Sequence, residues 1–337
     1  MRIFSILAYA FGLALAPLSL AKAEPLSPEA QVAAMGRGVN IVGYDPIWQD
    51  RSRARFKLSY MRTIRDGGFA TVRLNLHAFR HMDANNRLSA QWLETLDGLI
   101  GAALAQGLTV VLDEHDFTTC AQDPPACRVK LAAFWAEIGE RYRHAPDTVV
   151  FEILNEPNGA LDPLWNDMLV ELLAIVRGAN PTRNVIVGPA FWNNISWLDR
   201  LRLPENDRHL IVTVHYYLPM EFTHQGARWT PQYTRLGVNW GSDAERAALR
   251  SDFEGVAAWA RANRRPILLG EFGAYDRAPL PSRIAYTAAV ARAAEANGFA
   301  WTYWQFDSDF VVFKVEDNSW NEPIHRALVP EFYSTRR

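Results

Sequence analysis

Two segments, Ile153-Leu154-Asn155-Glu156-Pro157 and Leu269-Gly270-Glu271-Phe272-Gly273, each close a β-like apolar run with a glutamate. The first follows Val149, Val150 and Phe151, and the second follows Ile267 and Leu268, so each carboxylate sits where a buried strand emerges. Cleavage of a glycosidic bond needs such a pair: one carboxyl protonates the leaving oxygen and the other attacks the anomeric carbon.

Elements must exist to bring these acids together. Apolar, β-branched runs at residues 38–43, 70–76, 108–113, 149–154, 185–187, 210–214, 266–269 and 300–303 read as eight strands buried on both faces, as a parallel sheet demands. Helical periods lie between them at 55–66, 90–105, 128–144, 163–177, 242–263 and 283–297, with weaker ones at 195–201 and 321–327. Several end on stop signals such as Gly67-Gly68, Gly107 and Gly298. That many strand–helix units predict a closed (β/α)8 TIM barrel in one domain rather than an open doubly wound sheet.

Active sites of such barrels gather at the C-terminal strand ends. Those ends carry Arg73 and Asn75, His115, Asn155 and Glu156, His215 with Tyr217, Glu271, and Trp304. Any one of them alone has a plainer structural reading; six strand ends together favour a site. Strands four and seven face each other across a barrel, so Glu156 and Glu271 can approach over a bound sugar. A separation of about 5 Å would give retention and about 6.5–9.5 Å inversion. Arg73 is placed to pair with one glutamate and hold it ionised, and Tyr217 to donate to the same carboxylate. The other, less solvated and beside that charge, would have its pKa raised and serve as general acid. Asn155 would bond a sugar hydroxyl, and Trp304 offers a face on which a sugar ring can lie.

These residues, in this order, resemble the eight-residue signature of glycoside hydrolase family 5: Arg73 in Val-Arg-Leu-Asn, His115 in Leu-Asp-Glu-His, Asn155-Glu156-Pro157, His215-Tyr216-Tyr217, Glu271 in Gly-Glu-Phe-Gly, and Trp304. Arg37-Gly38-Val39-Asn40 is similar to that family's first strand, and the likeness runs from about Gly36 to Trp304. It implies a retaining mechanism with Glu156 as acid/base and Glu271 as nucleophile. It also implies a shell of Arg73, His115, Asn155, His215, Tyr217 and Trp304, and no cofactor. The flank Asp113-Glu114-His115-Asp116 is more acidic than the family's usual one.

Arg2, the apolar run 3–20 and Ala21-Lys22-Ala23 read as a secretory signal peptide cut after Ala23, leaving residues 24–337 as the catalytic barrel domain. No later apolar stretch is long enough to span a bilayer, so a soluble, secreted or periplasmic monomer is expected. The formal net charge of −2 offers no footprint for nucleic acid. Cys120 and Cys127, the only cysteines, are expected to pair across a Pro-rich loop in an oxidising compartment. Residues 216–241 form a long irregular stretch rich in aromatic residues, expected to wall the site. Trp192, Trp229, Trp240 and Trp320 are assigned to loops on the strand C-terminal side, where sugar stacking and rim packing weigh equally. Trp92, Trp135, Trp165 and Trp259 fall in helical periods and read as packing.

Neither a His-Glu-x-x-His motif nor a second His at ligand spacing accompanies Glu114, His115 and Asp116, so no metal site is expected. The absence of Gly-x-Ser-x-Gly argues against a serine hydrolase. The resulting expectation is a retaining endo-β-glycanase acting on polysaccharide, endo-β-1,4-glucanase first, with β-mannan or another β-glucan as the alternative substrate. A non-catalytic polysaccharide-binding barrel is disfavoured, because a like-charged pair in one cleft is costly without a use.

Overall fold

The computed structural model describes residues 24–334; the signal segment read at residues 1–23 lies outside them. Eight parallel strands close a barrel in sequence order: β1 (Arg37–Ile41), β2 (Thr71–Asn75), β3 (Thr109–Asp113), β4 (Val149–Glu152), β5 (Val185–Val187), β6 (Leu210–Tyr216), β7 (Ile267–Phe272) and β8 (Ala300–Tyr303), with β8 pairing back onto β1. Every strand expected from the sequence is present, and the (β/α)8 architecture is as anticipated.

The period of two decides what each side chain meets. Val72, Leu74, Val110, Leu112, Phe151, Val212 and Leu269 point outward into one large core shared with the helices. The alternate positions point inward. Their lower layer, Val111, Val150, Ile186, Ile211, Leu268 and Ala300, packs with Val32 and Met35 of the helix Pro28–Met35, which plugs the N-terminal mouth. Above that layer the same parity delivers Asn40, Arg73, Asp113 and Glu152, all fully buried. A one-residue slip of β2 would thrust Arg73 into the helix-packing layer without its carboxylate partners, a burial that several kcal/mol of desolvation forbids. Register and site are therefore fixed by the same contacts.

Helices Ala90–Leu104, Pro124–Arg141, Trp165–Ala179, Asp243–Asn263 and Leu280–Ala296 cover the barrel. Ser242 and Glu245 form a reciprocal capping box at the start of Asp243–Asn263. The helix expected from residue 55 begins at Tyr60, because the Asp45 carboxylate captures the N–H groups of Arg55 (3.2 Å) and Phe56 (2.8 Å). Cys120 and Cys127 are joined, but the bond ties helix Phe117–Gln122 to the first turn of Pro124–Arg141 rather than stapling a loop. Pro124 and Pro125 open that helix, where a missing N–H costs nothing.

One tryptophan placement is corrected, and a second resolves to packing. Trp320 lies in a two-stranded hairpin, stacks on His325 at 4.0 Å and covers Gly67, whose helix leads into the start of β2; it is on the far side from the cleft. Trp240 is buried against Tyr286, with Arg246 over its ring. Trp192 and Trp229 remain exposed in loops after β5 and β6. Trp92, Trp135 and Trp165 are fully buried, as packing residues should be. No helix among the described residues is long and apolar enough to cross a membrane.

Candidate active site

Arg73 organises the C-terminal end of the barrel. Projecting inward from β2, it uses all five N–H groups: Nε and Nη2 grip Glu152 (2.7 and 2.9 Å), Nη2 also reaches Asn155 Oδ1 (2.8 Å), and Nη1 donates to Asn40 Oδ1 (2.8 Å) and Glu271 Oε1 (2.9 Å). Asp113 Oδ2 lies 3.1 Å from Nη2. Asn75 Nδ2 bridges Asn40 Oδ1 (3.1 Å) and Asp113 Oδ2 (3.0 Å).

Glu271 owes its direction to a bulge. β6 and β7 pair in step up to Val214 opposite Leu269, then His215 faces Glu271, leaving Gly270 as the extra residue. Strict alternation from the inward Leu268 would send Glu271 outward; the extra residue turns it into the barrel. Only glycine fits there, since a Cβ would lie 2.5 Å from Thr213 Oγ1 and 2.9 Å from His215 Nε2. Tyr217 Oη donates to Glu271 Oε2 at 3.0 Å, so each oxygen of this carboxylate has a donor.

Glu156 stands just past β4 with φ of 42°, in the left-handed region that a side chain with a Cβ enters at a cost of about 1–2 kcal/mol. Its Oε1 meets His215 Nδ1 at 2.7 Å. The other ring nitrogen faces Asn193 Nδ2 at 3.3 Å, which fits a neutral imidazole with its proton on Nδ1. A carboxylate oxygen from each glutamate lies within 4.8 Å of the other and of a His215 ring nitrogen. Among the described residues this trio is the one group able to converge on a metal ion, and its donors are already engaged with Arg73, Tyr217 and one another.

Burial dominates the electrostatics. It pushes Glu156 up to about 8, opposed by Arg73 and assisted by Asp113 and Glu152. Glu271 is pushed up by burial to about 7, with His215 and Arg73 pulling it down and Glu156 pushing it up. Burial also lowers His215 to about 4 and holds His115 well below the usual histidine range, so both imidazoles are neutral. The two glutamates thus differ: Glu271 has a cation and a phenol, whereas Glu156 has only a neutral ring.

All eight residues singled out in the sequence share this end of the barrel. His115 donates Nδ1–H to Asp113 Oδ2 (2.6 Å) and stacks on Trp304 at 5.6 Å with planes 5° apart. Tyr44, exposed on the loop after β1, stands edge-on to Trp304 at 6.2 Å. Asn155 is buried, and its Nδ2 has no protein partner. Glu114 and Asp116 serve the loop instead: Glu114 Oε2 accepts from the Asp116 N–H (3.0 Å) and Asp116 Oδ2 from the Phe79 N–H (2.7 Å). Sequence reasoning passed over Glu152 as a functional group, although its parity with the inward Val150 was a readable signal. It also passed over Asn193, which nothing in the local sequence marks.

A family profile described as Cellulase (glycosyl hydrolase family 5) matches residues 32–309. Endoglucanase H of Acetivibrio thermocellus is 27% identical over 319 residues, spanning 90% of this chain and 34% of that protein. Endoglucanase 3 of Fibrobacter succinogenes is 24% identical, spanning 90% of this chain and 54% of that protein. The chain therefore covers only a third to about half of these relatives' length. The solved structure of Thermotoga maritima Cel5A with mannotriose superposes with a TM-score of 0.85 at 35% identity, covering 90% of this chain and all of that one. The chain belongs to the cellulase family, glycosyl hydrolase family 5.

Proposed function

We propose that this protein is a retaining endo-β-1,4-glucanase working by double displacement, with Glu271 as nucleophile and Glu156 as acid/base. The observation that carries the reading is the approach of two carboxylates to within 4.8 Å with unequal partners. Retaining glycosidases hold their pair about 5–5.5 Å apart, too close to admit the water that inversion needs. In the first step a Glu271 oxygen bonds to the anomeric carbon as the glycosidic C–O bond breaks, and Glu156 gives its proton to the departing oxygen. In the second, Glu156 takes a proton from water, whose oxygen displaces Glu271 and restores the starting configuration. Arg73 and Tyr217 favour the ionised form of Glu271 against the burial that raises it; His215 holds Glu156 in reach. The free Nδ2–H of Asn155 is the donor for the substrate's 2-hydroxyl, a bond that strengthens as charge develops on the ring.

The named endoglucanases among the relatives support a glucan substrate. The mannotriose bound in the Thermotoga maritima structure favours β-mannan as a second substrate of the same machinery. We further propose that the enzyme acts outside the cytoplasm as a monomer: one chain contributes every residue above, and a disulfide fits an oxidising compartment. Product analysis on soluble β-glucans and mannans tests the assignment. Glu271→Gln should abolish release of reducing ends while preserving the fold, and retained activity would sink it.

A further inference from the structure

We propose that Glu152, a buried carboxylate that takes no step in the chemistry, is a positioning residue that fixes the plane of the Arg73 guanidinium and through it both Glu271 and Asn155. The inference rests on the hydrolase reading above. Its ground is the completeness of the Arg73 hydrogen bonds. Glu152 holds the Nε–Nη2 edge in a two-point fork, the two-bond contact to one partner that opposes rolling of the guanidinium about its stem. With that edge pinned, Nη1 is aimed at Glu271 Oε1 and the second Nη2 proton at Asn155 Oδ1. Accepting that proton turns the Asn155 amide so that Nδ2 is left free, buried and unpaired. The nucleophile and the donor for the 2-hydroxyl are thus set by one rigid fork whose far side is Glu152.

Charge neutralisation alone does not explain the residue. Asp113 lies 3.1 Å from Nη2 and Glu271 2.9 Å from Nη1, so the cation is already matched. Without Glu152 the guanidinium keeps only single bonds to Asn40, Glu271 and Asn155, and the attraction of Asp113 would tilt it away from Glu271. Glu152 also carries charge into the site. Glu156 faces Arg73 from β2, Asp113 from β3, Glu152 from β4, His215 from β6 and Glu271 from β7, with Tyr44 and Tyr217 at the rim, and these same groups surround Glu271. Removing one negative charge from that set makes Glu156 ionise more easily.

The test compares the wild type with Glu152→Gln and Glu152→Asp, measuring kcat, KM and the pH profile on a soluble β-glucan, with melting curves to establish folding. Glu152→Gln keeps the volume but breaks the fork and removes the charge. Its kcat should fall on the order of 10²-fold, as misplacement by about 1 Å does, with KM within a few-fold and the basic limb moved to lower pH. Glu152→Asp keeps the charge and shortens the reach, so kcat should fall while the limb stays. A folded Glu152→Gln variant with wild-type kcat and limbs overturns the inference, as does a loss confined to melting temperature. Should the Gln variant not fold, a wild-type kcat in Glu152→Asp overturns it equally. A wild-type protein inactive on every glucan and mannan would sink the hydrolase reading, and this inference with it; an active wild type with indifferent variants sinks this inference alone.

Discussion

Replacing Glu156 by glutamine separates the two roles that its environment gives it. The amide keeps the shape and can still accept from His215 Nδ1, but it has no proton to give. General acid–base catalysis is worth about 10²–10⁴-fold, so hydrolysis of unactivated glucan should fall by that factor. An aryl glycoside whose leaving group needs no protonation should lose much less in the first chemical step. The basic limb of kcat/KM, expected at about 8 from the raised carboxyl, should vanish. Stability should move the other way. Because burial raises the folded carboxyl from 4.5 to about 8, the native state binds more protons than the unfolded chain between those values, and stability is lost as pH climbs through that window. At 1.36 kcal/mol per unit the full rise costs at most about 5 kcal/mol above pH 8, a penalty glutamine does not carry. Glu156→Gln should therefore unfold later in denaturant than the wild type at alkaline pH, by a few kcal/mol, with the gap closing toward pH 4. The assay is a pair of urea titrations across pH beside the two rate profiles. A surviving basic limb, or a stability gap indifferent to pH, would refute the assignment.

Tyr217→Phe removes the 3.0 Å bond to Glu271 Oε2, and a hydrogen bond to a charged group is worth about 1.5–3 kcal/mol. The expected loss is roughly 10- to 100-fold in kcat/KM, with the acid limb shifted upward because the ionised form has lost a donor; an unmoved limb counts against the pairing. Trp135→Phe leaves the Ile153 carbonyl, now 3.0 Å from Nε1, buried without its donor, at about 1–3 kcal/mol by denaturant titration, and a loss within experimental scatter contradicts this. Converting Cys120 and Cys127 to serine opens a link with a sequence separation of 7, for which chain entropy gives about 2.5 kcal/mol, readable as a lower melting temperature that reductant no longer affects.

The strand ends were legible because a barrel converts chain order into position: once eight apolar runs are counted, Arg73, His115, Asn155, Glu156, His215, Tyr217, Glu271 and Trp304 must share one rim. Residues inside the strands were not. Reading 149–154 as one buried apolar run left no place for an interior acid, although Val150 and Glu152 share parity and Glu152 faces the same interior as Arg73. The aim of Glu271 was right for a reason that pattern could not supply, since alternation alone turns it outward and a bulge at Gly270 reverses it. Tryptophans stayed ambiguous because a ring with one polar edge suits a rim and a core alike. What separates Trp240 from Trp192 is Tyr286 and Arg246, neighbours distant in sequence.

The division of labour between the glutamates follows from charge more than from identity. Four carboxyls, on Asp113, Glu152, Glu156 and Glu271, gather around a single guanidinium, Glu156 alone of them only half-buried, and the two neighbouring imidazoles are held neutral. One cation cannot support four such anions, so a proton must stay in the cluster. It stays where ionisation gains least. Glu152 has the Arg73 fork, Asp113 has Arg73, Asn75 and His115, and Glu271 has Arg73 and Tyr217. Glu156 has only His215, a neutral donor. On the proposed mechanism the acid is therefore the carboxyl that no Arg73 N–H reaches, and the nucleophile is one of the three that it does; moving Arg73 should matter as much as removing either glutamate.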